Sequence, residues 1–213
     1  MAETAPIESR FIDFEGLRIE YDDRVLAPRP WTAAQSQWAA ELIRMAPPGP
    51  VLELCAGAGH IGLLAVSLAP RMIVCVDADR AACGYLRRNA ALAGVRADVR
   101  EGRMDAVLEA DEEFAVIIAD PPWVPTGDVG RFPEDPVTAI DGGADGLTLA
   151  RHCLDIIDQH LVVAGSALLQ VGPGQADRLA DLVATYDELV VIAARELKRG
   201  ALVQVDRLES SAV

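Results

Sequence analysis

The sequence predicts an α/β protein with a doubly wound, seven-stranded, mostly parallel sheet and an antiparallel edge. Three observations lead to this fold class. From Val51 onward, short apolar runs rich in Val, Ile and Leu alternate with longer amphipathic segments. A glycine-rich turn, Gly57 to Gly62, directly follows the first apolar run. The last two apolar runs are separated by only a short polar turn, which is typical of an antiparallel pair.

A hairpin and a helix are expected ahead of this core. Successive side chains of 11–14 and 17–21 are expected to alternate between the two faces of a strand, and Glu15-Gly16 between these segments is a turn signal. Apolar residues at spacings of three and four predict a helix over 32–45, which Pro47-Pro48-Gly49-Pro50 ends.

We therefore divide the chain into an N-terminal extension, 1–49, and a main domain, 50–213, and we expect residues 1 to about 9 to be frayed. Within the main domain, apolar runs predict strands and amphipathic stretches predict helices. The predicted strands are 51–55, 72–76, 97–100, 114–119, 166–171, 188–194 and 201–208. The predicted helices are 59–68, 79–92, 146–160 and 174–185.

Composition limits the class of protein. The chain has 213 residues, of which 51% are hydrophobic and 5% aromatic, so one medium domain with a core of small aliphatic side chains is expected. The net charge of -14 disfavours a duplex or tRNA binder, since such proteins need a basic face. Arg87-Arg88 and Lys198-Arg199 are small basic pairs, which we interpret as solvated surface. No apolar run reaches the ~18 residues that would span a bilayer.

The cysteines indicate a reducing compartment. Cys55, Cys75, Cys83 and Cys153 form no CxxC pair, so we interpret them as buried free thiols. The N-terminus, Met1 to Pro6, lacks the apolar core of a signal peptide, and we expect a cytoplasmic protein. No cluster has the spacing of metal ligands, so no metal is expected.

The glycine-rich turn predicts a cofactor site, because ligands of open parallel sheets lie beyond the carboxyl ends of the strands. Gly57 and Gly59 allow the backbone to approach a ligand closely. The stretch Gly57 to Gly62 also matches the longer dinucleotide pattern, so it leaves both a dinucleotide and S-adenosylmethionine (SAM) open. Glu53 favours SAM, since a polar group inside an apolar strand needs a partner and a bound amino group would provide one.

Other residues extend this predicted site. Asp77, at the end of the second strand, is placed to accept hydrogen bonds from ribose hydroxyls, whereas Asp79 is better explained as a helix N-cap. Met104 is expected near the adenine, with core packing as the alternative. The predicted cofactor-binding residues are Glu53, Cys55, Ala56, Gly57, Gly59, His60, Asp77, Ala78, Arg103 and Met104.

A second motif, Asp120-Pro121-Pro122-Trp123, follows the apolar strand 114–119 and predicts methyl transfer to a planar NH2 group. The lone pair of such a nitrogen is delocalised, and acceptors that hold its N–H groups localise it and stabilise developing positive charge. Asp120 and the Pro121 carbonyl are the expected acceptors, and Trp123 is the expected stacking surface. All four residues are predicted to be catalytic.

These segments resemble the class I SAM-dependent methyltransferases and, more narrowly, the HemK-type protein-glutamine methyltransferases. The resemblance rests on Arg29 to Thr32, Glu53 to Gly59, Asp77, Asp120 to Trp123 and Gly142 to Leu147. It implies a Rossmann-like domain, SAM as methyl donor and an acceptor pocket over Asp120 to Trp123. The substrate-binding residues that it implies are Arg29, Pro30, Thr32, Trp123 and Asp135.

The sequence departs from that family at the acceptor motif. The family has Asn and Tyr where this chain has Asp120 and Trp123. An Asn both donates and accepts, which suits an amide, whereas an ionised Asp only accepts, which suits an exocyclic amine. The helical N-terminal domain of bacterial release-factor enzymes is also not expected here, which argues against a release factor as substrate.

Three functions remain open from the sequence. The first is N-methylation of a protein glutamine or a similar amide. The second is adenine-N6 methylation of RNA or DNA, which Asp120 favours and the acidic charge disfavours. The third is a catalytically silent SAM-fold partner subunit, which the intact glycine loop disfavours. The methyl acceptor is expected to be a protein glutamine, a nucleobase or a small molecule, with no membrane involved.

Overall fold

A computed structural model of the protein describes residues 9–209. Its strands are β1 Arg10–Phe14, β2 Leu17–Tyr21, β3 Val51–Leu54, β4 Ile73–Asp77, β5 Ala97–Glu101, β6 Phe114–Ala119, β7 Leu161–Val171, β8 Leu189–Leu197 and β9 Gly200–Arg207. Its helices are α1 Ala33–Met45, α2 His60–Leu68, α3 Arg80–Ala93, α4 Met104–Val107, α5 Val137–Ile140, α6 Thr148–His160 and α7 Ala176–Val183. Two 3-10 helices span Pro30–Thr32 and Thr126–Arg131.

Seven of these strands form one sheet in the order β5-β4-β3-β6-β7-β9-β8. The first five of that order are parallel neighbours, and β9 runs antiparallel to both β7 and β8. This confirms the predicted mostly parallel sheet with an antiparallel edge. The strand order reverses between β3 and β6, and in such sheets the ligand crevice lies at the carboxyl ends of the strands that flank the reversal.

The core lies on both faces of the sheet. The α1 and α2 helices cover one face, where Trp38 and Ile61 pack against strand residues such as Val116. The α6 and α7 helices cover the other face, where Leu154 and Leu179 pack. All six residues of β6 are buried, as expected for a central parallel strand covered on both sides.

The hairpin of β1 and β2 is separate from the main sheet and is anchored to α3. Asn89, which is fully buried on α3, makes the connection. Its Nδ2 donates to the carbonyls of Glu20 and Ala58, each at 2.9 Å, and its Oδ1 accepts from the Glu20 N–H at 2.8 Å. The buried side-chain amide of Asn89 therefore connects the hairpin to the glycine loop. These contacts fix the position of the chain segment that follows the hairpin.

The predicted strands and long helices are confirmed, but some bounds differ. The β7 strand begins at Leu161, before the predicted Ser166, because its pairing with β6 continues across an irregularity that includes Ala164 at φ +60°. The short helices α4 and α5 were not predicted, since four residues are too few to show a helical period.

Two expectations concern the limits of the chain. The frayed N-terminus predicted for residues 1 to about 9 falls outside the described residues, apart from Ser9. Between residues 9 and 209, no helix has the length and apolar character needed to cross a membrane.

Candidate functional site

A cavity of about 600 Å³ opens at the carboxyl ends of the central strands. Residues that follow β3, β4, β5 and β6 form its floor, and α6 forms one wall. The segment after the hairpin, residues 24–26, covers another side. The two sequence motifs therefore meet in one cavity at the reversal of strand order.

The glycine loop after β3 turns sharply into the cavity. Cys55, Gly57 and Gly59 all have positive φ, and Gly59 is the residue before α2. Because Gly59 and Gly57 adopt this region without strain, the loop can present backbone to a ligand. Of the predicted residues here, Cys55, Ala56, Gly57 and His60 line the cavity, and Gly59 lies beneath, against Leu86.

Asp77 joins the loop to the end of β4. Its Oδ2 accepts from the Gly57 N–H at 2.7 Å and its Oδ1 from the Asp79 N–H at 2.8 Å. Each carboxylate oxygen can accept a second hydrogen bond, so capacity for ligand hydroxyls remains. Asp77 and Ala78 line the cavity, and burial raises the pKa of Asp77. Asp79 is the N-cap of α3, as predicted, through its bond from the Ala82 N–H.

Glu53 lies behind the cavity wall rather than in it. It is 3% exposed, and its Oε1 accepts from the Gly62 N–H at 2.8 Å while the Cys75 thiol donates to Oε2 at 3.6 Å. The partner that the sequence required is thus the start of α2. A Cβ on Gly62 would lie 2.3 Å from Glu53 Oε2, so only glycine lets α2 approach β3 this closely. Burial raises the pKa of Glu53 to about 8, so the carboxyl is protonated at neutral pH.

The remaining cofactor-side residues also line the cavity. His60 lines it beside the Phe14 ring, 4.9 Å away edge to face. Burial lowers the pKa of His60 to about 4, so the imidazole is neutral, and its Nδ1 has no partner among the described residues. Arg103 and Met104 line the cavity near Gly102, and Arg103 is paired with Asp105 at 2.7 Å.

Asp120 enters the same cavity from the end of β6. Desolvation raises the pKa of Asp120 to about 7. The strand end is held by Gln35 of α1, whose Nε2 donates to the Ala119 carbonyl at 3.0 Å and to the Leu168 carbonyl at 3.2 Å. Pro122 also lines the cavity, and Pro121 is buried beside it. Asp120 and the glycine loop therefore face one shared space.

Trp123 is half-buried and lies at the outer end of this corner. Its ring rests on Gly172, where a Cβ would come within 2.5 Å of the ring, and its carbonyl accepts from Gln175 Nε2 at 3.0 Å. The ring is not among the groups that line the cavity in the described part of the chain. The predicted stacking surface thus packs beside the end of β7.

Four of the predicted substrate-binding residues lie together outside the cavity: Arg29, Pro30, Thr32 and Asp135. Arg29 is paired with Asp135 across 106 positions of sequence, which joins the segment before α1 to the loop after Trp123. Thr32 Oγ1 donates to the Arg29 carbonyl at 2.8 Å, and Pro30 opens the 3-10 turn. These contacts fix the outer edge of the site.

Sequence reasoning missed three parts of the cavity wall. Arg24, Val25 and Leu26 cover it, and α5 contributes Thr138 and Ala139. Only the folded hairpin and loop reveal these positions. One face of α6 also lines it, and its spacing of three and four could have been found from the sequence; its members are Leu149, His152, Asp155, Ile156 and Gln159.

The cavity is acidic. Five aspartates line it, against two arginines that are both already paired, Arg24 with Asp22 and Arg103 with Asp105. Such a lining suits a cationic ligand and opposes a pyrophosphate, which would meet uncompensated negative charge. No cluster of His, Cys, Asp or Glu able to hold a metal ion occurs within residues 9–209.

Comparisons with known proteins agree with this geometry. Residues 32–129 match the family described as conserved hypothetical protein 95. The release factor glutamine methyltransferase of Deinococcus radiodurans is 33% identical over 79% of this chain and 62% of its own length. The ribosomal protein uL3 glutamine methyltransferase of Bordetella pertussis is 29% identical over 74% of this chain and 55% of its own. The chain thus spans less than two thirds of these relatives.

Solved structures share the fold. The 16S rRNA N2 G1207 methyltransferase of T. thermophilus, in complex with AdoMet (SAM) and guanosine, superimposes with a TM-score of 0.67 at 14% identity. The match covers 97% of this chain and 52% of that one. The fold is therefore one that solved methyltransferases share. In sequence, this chain is similar to the HemK-type protein-glutamine methyltransferases, which confirms the resemblance noted in its sequence.

Proposed function

We propose that this protein is a SAM-dependent N-methyltransferase that methylates the side-chain amide of a protein glutamine or a similar planar amide. The observation that carries the proposal is the shared cavity. Asp120 at the end of β6 and Asp77 with the glycine loop at the ends of β4 and β3 line the same space. The relatedness to glutamine methyltransferases supports the amide as acceptor.

The residues of the cavity fit SAM. Bound SAM would supply a methyl group activated on a cationic sulfonium. In our proposal the methionyl part of SAM lies against the glycine loop, Cys55 to Gly59, and against His60. The ribose lies against Ala78, and its hydroxyls donate hydrogen bonds to Asp77. Arg103 and Met104 border the adenine. The acidic lining complements the positive charge of this cofactor, which favours SAM over a dinucleotide.

Asp120 and the Pro121 carbonyl hold the acceptor nitrogen in this proposal, and most of the acceleration comes from positioning. The raised pKa of Asp120 gives it a second property. Protonated, its carboxyl offers one donor and one acceptor, as an asparagine amide does. A neutral Asp120 can therefore donate to the carbonyl of a glutamine amide and accept from its NH2 group.

The ionised form of Asp120 supports a second class of methyl acceptor. A carboxylate accepts only, which suits an exocyclic amine such as adenine N6. Because the pKa of Asp120 is about 7, both forms are populated near neutral pH. The net charge of -14 opposes nucleic acid, so we place the adenine reaction second. We also propose a cytoplasmic location, which the free thiols of Cys55, Cys75, Cys83 and Cys153 support.

The test is a methyl-transfer assay with SAM labelled on its methyl group. The protein is incubated with a glutamine-containing peptide, an adenine-containing RNA oligomer and, separately, a cell extract divided into protein, RNA and small-molecule fractions. We expect label in the peptide and in the protein fraction. Label in RNA alone would establish the second function, and no label in any fraction at saturating SAM would contradict both.

A further inference from the structure

A basic rim lies outside the acceptor corner, and it consists of Arg29, Trp31, Lys198 and Arg199. The Arg199 guanidinium lies 4.7 Å from the centre of the Trp31 ring, and the Arg29 guanidinium lies 5.8 Å from it. Lys198 and Arg199 form the turn between β8 and β9 and are both exposed. Two distant parts of the chain are thus joined by cations stacked on one indole, an attractive arrangement.

Close backbone packing connects this rim to the acceptor corner. Gly200, at the end of the turn, packs on Val171 so tightly that a Cβ there would lie 2.3 Å from the Val171 carbonyl. The residue after Val171 is Gly172, and the Trp123 ring packs on it. The rim therefore lies near Trp123, the last residue of the motif Asp120 to Trp123. The turn of Lys198 and Arg199 precedes β9 beside the end of β7, so it lies at the edge of the sheet that also carries Asp120.

The charge of this rim is unusual for the molecule. Lys198 is the one lysine in a chain of net charge -14. Within residues 9–209, neither Lys198 nor Arg199 is paired with a carboxylate, whereas Arg29 is paired with Asp135 and Arg195 lies 4.0 Å from Glu41. Two positive charges without a carboxylate partner among the described residues therefore lie beside the end of β7, at the same edge of the sheet as the acidic cavity. Such charges attract an anionic group and fix its register.

We propose that this rim docks an acidic polypeptide segment that flanks the methyl-accepting side chain. The inference rests on the proposed function and specifies its substrate as a glutamine with Asp or Glu residues nearby in the chain. Only two cations of the rim, Lys198 and Arg199, have no carboxylate partner among the described residues. Two positive charges match a short acidic stretch. A nucleic acid needs more phosphate contacts for affinity and would meet the negative field of the rest of the protein.

Binding measurements test this directly. Fluorescein-labelled peptides with a central glutamine and flanking glutamates, glycines or lysines are titrated with the protein, in the presence of S-adenosylhomocysteine, and followed by fluorescence anisotropy. We expect the acidic peptide to bind at least about tenfold more tightly than the neutral one, with the difference shrinking as salt is added. The lysine peptide should bind most weakly.

Charge-reversal variants locate the effect. Lys198→Glu and Arg199→Glu should each lose most of the preference for the acidic peptide. Lys198 has no stacking contact in the described structure, so its variant tests charge without disturbing Trp31. Arg96→Glu is the matched control, because Arg96 is exposed and unpaired among described residues and precedes β5 at the opposite edge of the sheet. The control should bind like the wild type.

The outcomes separate this inference from the proposed function. Equal affinity for the three peptides, or the same loss in Arg96→Glu as in Lys198→Glu, would overturn the docking surface even if methyl transfer to glutamine occurs. Tighter binding of a single-stranded RNA oligomer than of the acidic peptide would also overturn it. Acid-selective binding that depends on Lys198, without methylation of any glutamine peptide, would uphold the rim and refute the proposed reaction.

Discussion

At the scale of single residues, Asp120 shows how surroundings change the chemistry of a side chain. A carboxylate on a surface loop would be ionised near pH 4 and would accept hydrogen bonds only. At the end of β6, desolvation raises its pKa to about 7. In the sequence, Asp120 in place of the family's Asn favours an amine as methyl acceptor. In the folded protein, Asp120 is therefore compatible with an amide as well.

The first prediction concerns the pH dependence of methyl transfer. In the wild type, kcat/KM for a glutamine peptide should fall as pH rises through about 7, because deprotonation removes the donor of Asp120. Asp120→Asn should retain transfer and show a flat profile over this range. A wild-type profile that rises through pH 7 would contradict the role of the neutral form.

Glu53 shows the opposite correction. Its position in the first strand of the sheet predicted contact with a bound amino group, but its carboxyl is covered by the start of α2. The strand pattern could reveal that a polar group was buried and needed a partner. It could not reveal that the partner was the Gly62 N–H, because that contact depends on how closely the helix approaches the strand.

The second prediction therefore treats Glu53 as a structural residue whose ionisation is unfavourable. Its folded pKa of about 8 lies above the unfolded value near 4.5, so the folded state binds more protons between these values. The free energy of unfolding should then fall between about pH 4.5 and 8, by on the order of a few kcal/mol from this group. Glu53→Gln should remove that part of the decline, measured by urea unfolding at a series of pH values.

Calorimetry with S-adenosylhomocysteine supplies the check on the same variant. Because Glu53 lies behind the wall, Glu53→Gln should leave the dissociation constant within about twofold of the wild type. A loss of affinity of about tenfold or more at neutral pH, with an unchanged pH dependence of stability, would show instead that the carboxyl contacts the ligand.

At the scale of elements, the site depends on how closely helices approach the sheet. The alternation of apolar runs correctly predicted the strands and long helices, because their periods are set by local geometry. The pattern could not predict that Gln35 of α1 joins the end of β6 to Leu168 within β7, since the contact spans 84 positions to Ala119 and 133 to Leu168. For the same reason it could not predict that the Trp123 ring packs on Gly172, which follows β7.

The third prediction tests the close approach of α2 to β3. Gly62→Ala should destabilise the protein by about 1–3 kcal/mol, because the new methyl group would overlap Glu53 and Ile73. Gly84→Ala is the matched control in α3, where an added Cβ meets only Arg88 Nη1 at 3.9 Å, and it should stabilise by roughly 0.5–1 kcal/mol. Thermal unfolding of both variants measures the difference. Equal behaviour of the two would refute tight packing at Gly62.

At the scale of the whole molecule, sheet topology brings the two motifs together. The first motif follows β3 and the second follows β6, and these strands are adjacent although about sixty residues separate them. The sequence predicted this meeting because carboxyl ends of neighbouring parallel strands share one edge. It could not predict the hairpin cover or the stack of Arg199 on Trp31, both of which depend on tertiary packing.

Charge acts at this scale as well. The molecule and its cavity are acidic, while Lys198 and Arg199, which have no carboxylate partner among the described residues, lie at the same edge of the sheet beside the end of β7. This arrangement favours a cationic cofactor inside and an anionic polypeptide outside. The division into an extension, 1–49, and a main domain, 50–213, stays a proposal, and α1 of the extension packs directly on β6 and β7.

The most direct test compares the wild type with Asp120→Ala in two measurements on the same samples. Calorimetry measures binding of S-adenosylhomocysteine, and labelled SAM measures transfer to a glutamine peptide, with release of labelled methylamine on hydrolysis identifying the amide nitrogen. We predict similar cofactor affinity in both proteins, labelled amide with the wild type, and at least about a hundredfold less transfer with the variant. Undiminished transfer by Asp120→Ala would contradict a methyl acceptor held at the end of β6.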